Sequence, residues 1–182
     1  MQTSLAKLFK TLYSWNQTEY LQEIFRDVDV NNDGTITINE LHAALIRGQP
    51  SSQFDIITVQ LLVRKYDTNH DGVINFEEFE NLFNYLNEEY VKFLLADSDG
   101  NQTIDAKELN DFFLKRGFSF DSSFSKYIVN TIKLNTQNDI TFDQFIRIMA
   151  RVENLFEFYK NSSNNLSEIQ EAFFNEFWYF ER

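Results

Sequence analysis

The sequence predicts an all-α fold made of five helix–loop–helix units, with short β-bridges between paired loops. Three observations lead to this prediction. Apolar residues recur at helical spacing along most of the 182 residues. Short acidic segments that share one pattern interrupt these helical stretches and therefore form a repeat. The five glycines and the single proline fall at the ends of the helical stretches or between them, where helices are expected to stop.

The chain is predicted to begin with an amphipathic segment over residues 1–18. Its apolar residues lie on one face of a helix, with Lys7 and Lys10 beside them. Packing against the body of the protein is the ordinary interpretation of such a face, and a detachable anchor for a membrane or a partner is the alternative. The apolar residues of this face are Leu5, Leu8, Phe9, Leu12 and Tyr13.

Two twelve-residue segments carry the same pattern of oxygen-bearing side chains. Residues 29–40, called loop one here, read DVNNDGTITINE, and residues 67–78, called loop two, read DTNHDGVINFEE. Both fit D-x-[DN]-x-[DN]-G-x5-E, in which alternate oxygens surround a calcium ion, glycine makes the sharp turn and glutamate closes the loop with two oxygens. The predicted ligands are Asp29, Asn31, Asp33, the Thr35 carbonyl, Thr37 (directly or through water) and Glu40 in loop one, and Asp67, Asn69, Asp71, the Val73 carbonyl, Asn75 and Glu78 in loop two.

A third segment, residues 97–108 or loop three, reads DSDGNQTIDAKE and departs from the pattern at one position. Gln102 stands where glycine is expected. A left-handed backbone at a residue with a Cβ costs on the order of 1–2 kcal/mol, or roughly a tenfold loss of affinity. Loop three has four carboxylates at ligand positions, against three in each of the other loops, and this acts in the opposite direction. Loop three is therefore predicted to bind calcium, with its rank among the three left open. Its predicted ligands are Asp97, Asp99, Asn101, the Thr103 carbonyl, Asp105 and Glu108.

The spacing of the loops predicts how the units are joined. Residues 79–96 contain no glycine or proline and keep a helical period of apolar residues that includes Leu94. One helix is therefore expected to leave loop two and enter loop three. We predict a first lobe over 19–86, which holds units one and two and shares this helix with the next unit, and a second region over 87–182 with units three to five.

The fourth and fifth units keep the shape of the repeat without its charge. Residues 133–144 read KLNTQNDITFDQ, in which a lysine and two glutamines replace the ligands at the first, fifth and twelfth positions. A cation and two amides cannot substitute for that negative charge, so no calcium is expected there. An uninterrupted helix over 145–159 is then predicted to lead into a fifth, non-binding segment, KNSSNNLSEIQE, over 160–171. The replaced positions of the fourth segment are Lys133, Gln137 and Gln144.

Composition excludes most catalytic chemistry. The chain has no cysteine and two histidines, which removes cysteine nucleophiles, thiolate zinc sites and three-histidine metal sites. Twenty-eight acidic against 16 basic residues give a net charge of −12, which argues against nucleic acid as a partner. We therefore predict a non-enzymatic protein with Ca²⁺ as its cofactor. His42 and His70 are expected to be exposed and without a role.

The loop motifs and the uninterrupted stretches over 79–96 and 145–159 resemble those of the penta-EF-hand family, from about Tyr20 to Arg182. The resemblance implies that loops one and two pair, that loops three and four pair, and that the fifth unit pairs with that of a second chain to give a homodimer. A calmodulin-like set of four units with an irregular tail is the competing architecture, which the short 79–96 connection fits poorly. The implied dimer surface comprises Leu166, Ile169, Phe173, Phe177, Trp178 and Phe180.

The predicted function is that of a calcium sensor. Each closing glutamate precedes an exit helix, so its movement toward an ion is expected to swing that helix and uncover apolar surface for a protein or a membrane. With 20 Phe and only 2 Met, that surface should be stiff and favour few partners. A calcium buffer or store, and a non-catalytic regulatory subunit of an enzyme, are the alternatives. The start of the chain lacks a signal-peptide pattern, so a cytoplasmic location with calcium-dependent membrane association is expected.

Overall fold

The structure, a computed structural model, describes residues 17–48, 54–117, 122–132 and 139–160. These residues form seven α-helices and contain no strand, which confirms the all-α class. Residues 161–182, which hold the rest of the fifth unit and its implied dimer surface, lie outside the described residues, and so do residues 1–16 of segment 1–18. None of the described helices combines the length and the apolar character needed to cross a bilayer. The helices are α1 (Gln17–Val28), α2 (Ile38–Gly48), α3 (Ile56–Tyr66), α4 (Phe76–Ala96), α5 (Ala106–Lys115), α6 (Ser122–Ile132) and α7 (Phe142–Lys160).

The predicted long helix between loops two and three is α4, which has 21 residues. It begins three residues before the stretch 79–96 because the last part of loop two is already helical. The chain divides into two compact units between Tyr90 and Val91, inside this helix. Helices α1 to α3 and the first part of α4 belong to the first unit, and the end of α4 with α5 to α7 belongs to the second.

The core of the first unit forms around Phe25 of α1. Its ring meets the rings of Phe76 and Phe79 edge to face, at centroid distances of 5.5 and 5.4 Å. This is the arrangement that aromatic quadrupoles favour. Since Phe76 and Phe79 lie in the first turn of α4, the aromatic contact ties the entry helix of loop one to the exit helix of loop two. The buried aliphatic residues around it include Leu21, Val28, Leu41, Leu45, Val59, Leu62, Val63 and Leu82.

The second unit repeats this design around Phe145, a residue of α7 with no exposed surface. Its ring lies 5.6 Å from that of Phe93 in α4 and 5.5 Å from that of Phe112 in α5, both edge to face. Phe93 also contacts Phe142 at 5.4 Å. One buried phenylalanine thus holds three helices of this unit together.

The predicted β-bridges form between the isoleucines at the eighth position of each loop. Ile36 and Ile74 exchange two backbone hydrogen bonds of 2.8 and 2.9 Å, and Ile104 and Ile140 exchange two of 2.8 Å. All four side chains are buried. Loops one and two are therefore paired, and loops three and four are paired.

Two expectations from the sequence are wrong. Leu94 belongs to the apolar helical period of residues 79–96 but is 51% exposed, and its neighbour Leu95 is 66% exposed. Both lie on a part of α4 that the neighbouring helices leave uncovered. His42 is not a free surface residue: it is half-buried, and its Nε2 lies 2.8 Å from the Phe54 carbonyl, which joins α2 to the residues before α3.

Candidate metal centre

Each of the first three loops is organised around its first aspartate. In loop one the buried carboxylate of Asp29 accepts the N–H groups of Asp33 (3.2 Å) and Gly34 (2.9 Å). Loop two repeats these contacts on Asp67, and loop three on Asp97. A single side chain therefore satisfies the backbone donors of a tight turn that has no helix or sheet to bond them. The turn is thereby folded around the first predicted ligand.

The sharp turn requires two left-handed residues in each loop, at the fourth and sixth positions. Loop two has His70 (φ 60°) and Gly72 (φ 86°), whereas loop three has Gly100 (φ 74°) and Gln102 (φ 67°). Gln102 thus has the strained left-handed backbone expected at the sixth position. In loop three, however, a glycine stands at the fourth position, which is also left-handed. Each loop then carries one glycine and one residue with a Cβ in this region. The strain at Gln102 should therefore lower the calcium affinity of loop three, relative to the other loops, by less than the sequence pattern predicts.

The closing glutamate and the ninth residue of each loop cap the exit helix reciprocally. In loop three the Asp105 side chain accepts the Glu108 N–H at 2.7 Å, and the Glu108 carboxylate accepts the Asp105 N–H at 3.0 Å, which is a capping box. Asn75 and Glu78 exchange the same two bonds in loop two, as do Thr37 and Glu40 in loop one. The predicted ligands at these positions thus also begin α2, α4 and α5.

The second oxygen of each closing glutamate reaches back to the start of its loop. Glu40 Oε1 accepts the Val30 N–H at 3.0 Å. Glu78 Oε1 accepts both the N–H (2.9 Å) and the hydroxyl (2.8 Å) of Thr68, and Glu108 Oε1 accepts the N–H and the hydroxyl of Ser98, each at 2.8 Å. Each glutamate therefore joins both ends of its loop. The loop pattern leaves the second position free, so the motif does not identify these residues.

Three carboxylates converge in loop three. Asp97, Asp99 and Glu108 each place one oxygen so that all three oxygens lie within 4.8 Å of one another. Calcium takes six to eight oxygens at 2.3–2.6 Å, so oxygens on opposite sides of one ion lie about 5 Å apart. The spacing and the all-oxygen donor set therefore fit Ca²⁺. In loops one and two an asparagine replaces the middle acid, and its amide donates to the fifth-position aspartate at 2.8 Å.

The fifth- and seventh-position residues are linked in the same way in all three loops. The seventh-position N–H donates to the fifth-position side chain at 2.9 Å in loop one, 3.1 Å in loop two and 2.8 Å in loop three. This contact shapes the turn beside the predicted carbonyl ligands Thr35, Val73 and Thr103. Coordination by the individual predicted ligands stays a prediction.

The fourth loop keeps the closing geometry without the charge. Residues 133–138 are not among the described residues, but Gln144 occupies the closing position, third in its helix like Glu40, Glu78 and Glu108. Its Oε1 accepts the Thr141 N–H at 3.0 Å, as the glutamates accept their ninth-position N–H groups. Gln144 thus preserves a helix start and lacks the anionic oxygens that a calcium ligand of this kind supplies.

Hydrogen bonds keep the closing glutamates ionised. The Thr37 N–H holds the pKa of Glu40 below its ordinary value of 4.5, although burial acts the other way. Burial raises the pKa of Glu78 and of Glu108, but the N–H and hydroxyl donors around each carboxylate outweigh it, and both pKa values lie below 4.5. All three groups are therefore charged at neutral pH.

We expect these lowered pKa values to appear as acid sensitivity of the calcium-free fold. A carboxylate with a lower pKa folded than unfolded adds stability above its unfolded pKa, and that stability is lost as the pH falls through the folded pKa. The contribution of Glu40, Glu78 and Glu108 should thus be complete above about pH 5 and decline below about 4.5. Denaturant unfolding in chelator across this range measures it, with the triple glutamine variant at these positions as the control. An equal pH slope in both proteins would contradict the prediction.

The paired loops, their capped exit helices and the oxygen-lined turns define a calcium-binding EF-hand protein. Residues 18–84 match the model of an EF-hand domain pair. The chain is 32% identical over 156 residues to penta-EF hand domain-containing protein 2 of Dictyostelium discoideum, covering 82% of this chain and 74% of that protein. It is 33% identical over 129 residues to sorcin of Schistosoma japonicum, covering 71% and 74%. The chain belongs to the penta-EF-hand family.

A solved structure supports the same fold. A homologue of programmed cell death 6 protein from Leishmania major Friedlin matches with a TM-score of 0.68 and 28% sequence identity, covering 79% of this chain and 80% of that chain.

Proposed function

We propose that this calcium-binding protein is a sensor, which presents an apolar surface to a protein partner when its loops are loaded. The observation that carries the proposal is the position of the exposed apolar residues next to a loop. Leu94 and Leu95, 51% and 66% exposed, lie in the last turn of α4, and loop three begins at Asp97 directly after that helix. Val91, 39% exposed, continues the apolar side chains along the helix.

The closing glutamates supply the link from loop to helix. Each is the third residue of its exit helix and is bonded to the other end of its loop, so a change at the loop acts on the first turn of the helix. Bound calcium supplies the positive charge that offsets repulsion between the loop carboxylates. Without it, Asp97, Asp99 and Glu108 repel one another at close range. Separation of those groups would release Glu108 and with it the start of α5.

We expect calcium to increase binding of an apolar dye and retention on a hydrophobic resin, and the variant L94Q/L95Q to lose most of the increase. Leu61→Gln, at a 42% exposed leucine of α3, is the matched control and should keep it. Capture of a protein by the wild-type chain in calcium but not in chelator, lost in L94Q/L95Q, would support the sensor. Calcium uptake with no change in dye binding or retention would contradict it.

The alternatives give different results in the same experiments. A calcium buffer takes up the ion without a change of surface, and a constitutive regulatory subunit keeps its partner in chelator. A membrane partner would be recognised by vesicle flotation in calcium without any added protein.

We propose no catalytic role for the chain, because the acidic clusters of the described residues belong to the loops. The homodimer through the fifth unit and the cytoplasmic location belong to this proposal as well, and sedimentation with F173A/F177A tests the dimer.

A further inference from the structure

We propose that Thr68 and Ser98 are positioning residues for calcium. Their hydroxyl groups, at the second position of loops two and three, hold the closing glutamates in place, and loop one binds more weakly because Val30 stands at that position. The inference rests on calcium binding by the loops and is independent of the sensor role.

The three loops differ in the contact that the second-position side chain makes. Thr68 Oγ1 donates to Glu78 Oε1, and Ser98 Oγ donates to Glu108 Oε1, both at 2.8 Å. Val30 offers its backbone N–H to Glu40 at 3.0 Å and has no hydroxyl. Its side chain is 62% exposed, so no apolar packing replaces the missing bond.

Burial of the closing glutamates follows the same division. Glu78 is 3% exposed and Glu108 is 7% exposed, whereas Glu40 is half-buried. The two glutamates that a second-position hydroxyl holds are thus drawn deeper into their loops. In both loops the glutamate Oε2 accepts the ninth-position N–H and keeps a second lone pair for a metal ion, while the second-position N–H and hydroxyl bond to Oε1.

Groups that hydrogen-bond to a metal ligand fix its orientation, and their loss typically costs about 10- to 100-fold in metal affinity. The hydroxyl restricts the conformations of the glutamate side chain, so less freedom is lost when the ion binds. In loop one the Thr37 hydroxyl donates to Glu40 Oε2 at 2.7 Å instead. Thr37 and Glu40 both lie near the last residue of the loop. That bond does not join the two ends of the loop.

The test uses the full chain with one loop left active at a time, so that each affinity is read alone. In the E40Q/E108Q background, Thr68→Val removes the hydroxyl and keeps the side-chain shape, while Thr68→Ser restores it. We expect Thr68→Val to weaken binding at loop two about tenfold, mainly through faster release of calcium to a chelator, and Thr68→Ser to remain near the parent. Ser98→Ala in E40Q/E78Q should have the same effect on loop three.

Adding a hydroxyl to loop one tests the proposal independently, in case a hydroxyl deletion disturbs folding. In E78Q/E108Q, where loop one alone binds, Val30→Thr should raise affinity several-fold and slow calcium release. Circular dichroism of each variant checks that the fold is kept. Affinities within about twofold of the parent for Thr68→Val, Ser98→Ala and Val30→Thr would overturn the proposal. A parent that binds no calcium would overturn the assignment of that loop and the proposal with it.

Discussion

Replacing Glu40, Glu78 and Glu108 together by glutamine is expected to abolish calcium binding while leaving the fold intact. Each glutamate offers two anionic oxygens and is the last ligand of its loop. Losing a group that only hydrogen-bonds to a ligand typically costs about 10- to 100-fold in metal affinity. Losing the ligand itself should therefore weaken calcium binding at that loop by at least roughly 100-fold. The chain already contains the product of this substitution. Gln144 closes the fourth loop and accepts the Thr141 N–H at 3.0 Å, the bond that a glutamine would need at the other positions.

Calorimetric titration of the single variants and the triple variant measures this effect. Each single substitution should remove one bound ion, and circular dichroism should show unchanged helix content. Glu77→Gln is the matched control, because it removes the same charge from the first turn of α4, one residue before Glu78, at an exposed position. Loss of calcium in E77Q, or binding within about tenfold of wild type in the triple variant, would contradict the assigned role.

Replacing Phe145 by alanine is expected to be the most damaging single change to the calcium-free fold among the described residues. The side chain is fully buried and joins the rings of Phe93 and Phe112 from two other helices. Truncation of a buried phenylalanine costs about 3–5 kcal/mol, from lost burial and from the cavity that remains. The free energy of unfolding should fall by about that amount, and the melting temperature by roughly 10 °C.

Chemical and thermal unfolding in chelator measure this loss, so that bound calcium does not mask it. Leu114→Ala serves as the control, since Leu114 lies in α5 near Phe112 and Phe113 but is 48% exposed. Its effect should stay within about 0.5 kcal/mol. A loss below about 1 kcal/mol in F145A would show that the three-helix contact around Phe145 does not hold this unit together.

Much of the fold follows from local rules that can be read in the sequence. The absence of glycine and proline over 79–96 predicts α4, and the isoleucine at position eight of each loop predicts the bridges, because both features depend on residues close together in the chain. The exposure of Leu94 could not be predicted in this way. Its helical spacing fits the apolar face, and only the placement of the neighbouring helices decides which part of α4 is covered.

The sequence likewise predicts only part of the metal site. Motif spacing identifies the three loops and the closing glutamates, since each loop is twelve consecutive residues. The contacts of Thr68 and Ser98 depend on how the glutamate side chain turns back across its loop, which the pattern does not encode. The glycine at position 100 was a usable signal: a glycine two residues before Gln102 suggests that the left-handed positions have been exchanged. Ligation by each predicted residue stays a prediction.

The number of calcium ions bound by the full chain tests the central claim most directly. Equilibrium dialysis against radioactive calcium at neutral pH, with magnesium present as a competitor, should give three ions per chain. Binding of a fourth ion would contradict the assignment of the fourth and fifth segments as non-binding. Fewer than three would show that at least one of loops one to three, although folded around oxygen atoms, does not hold the ion.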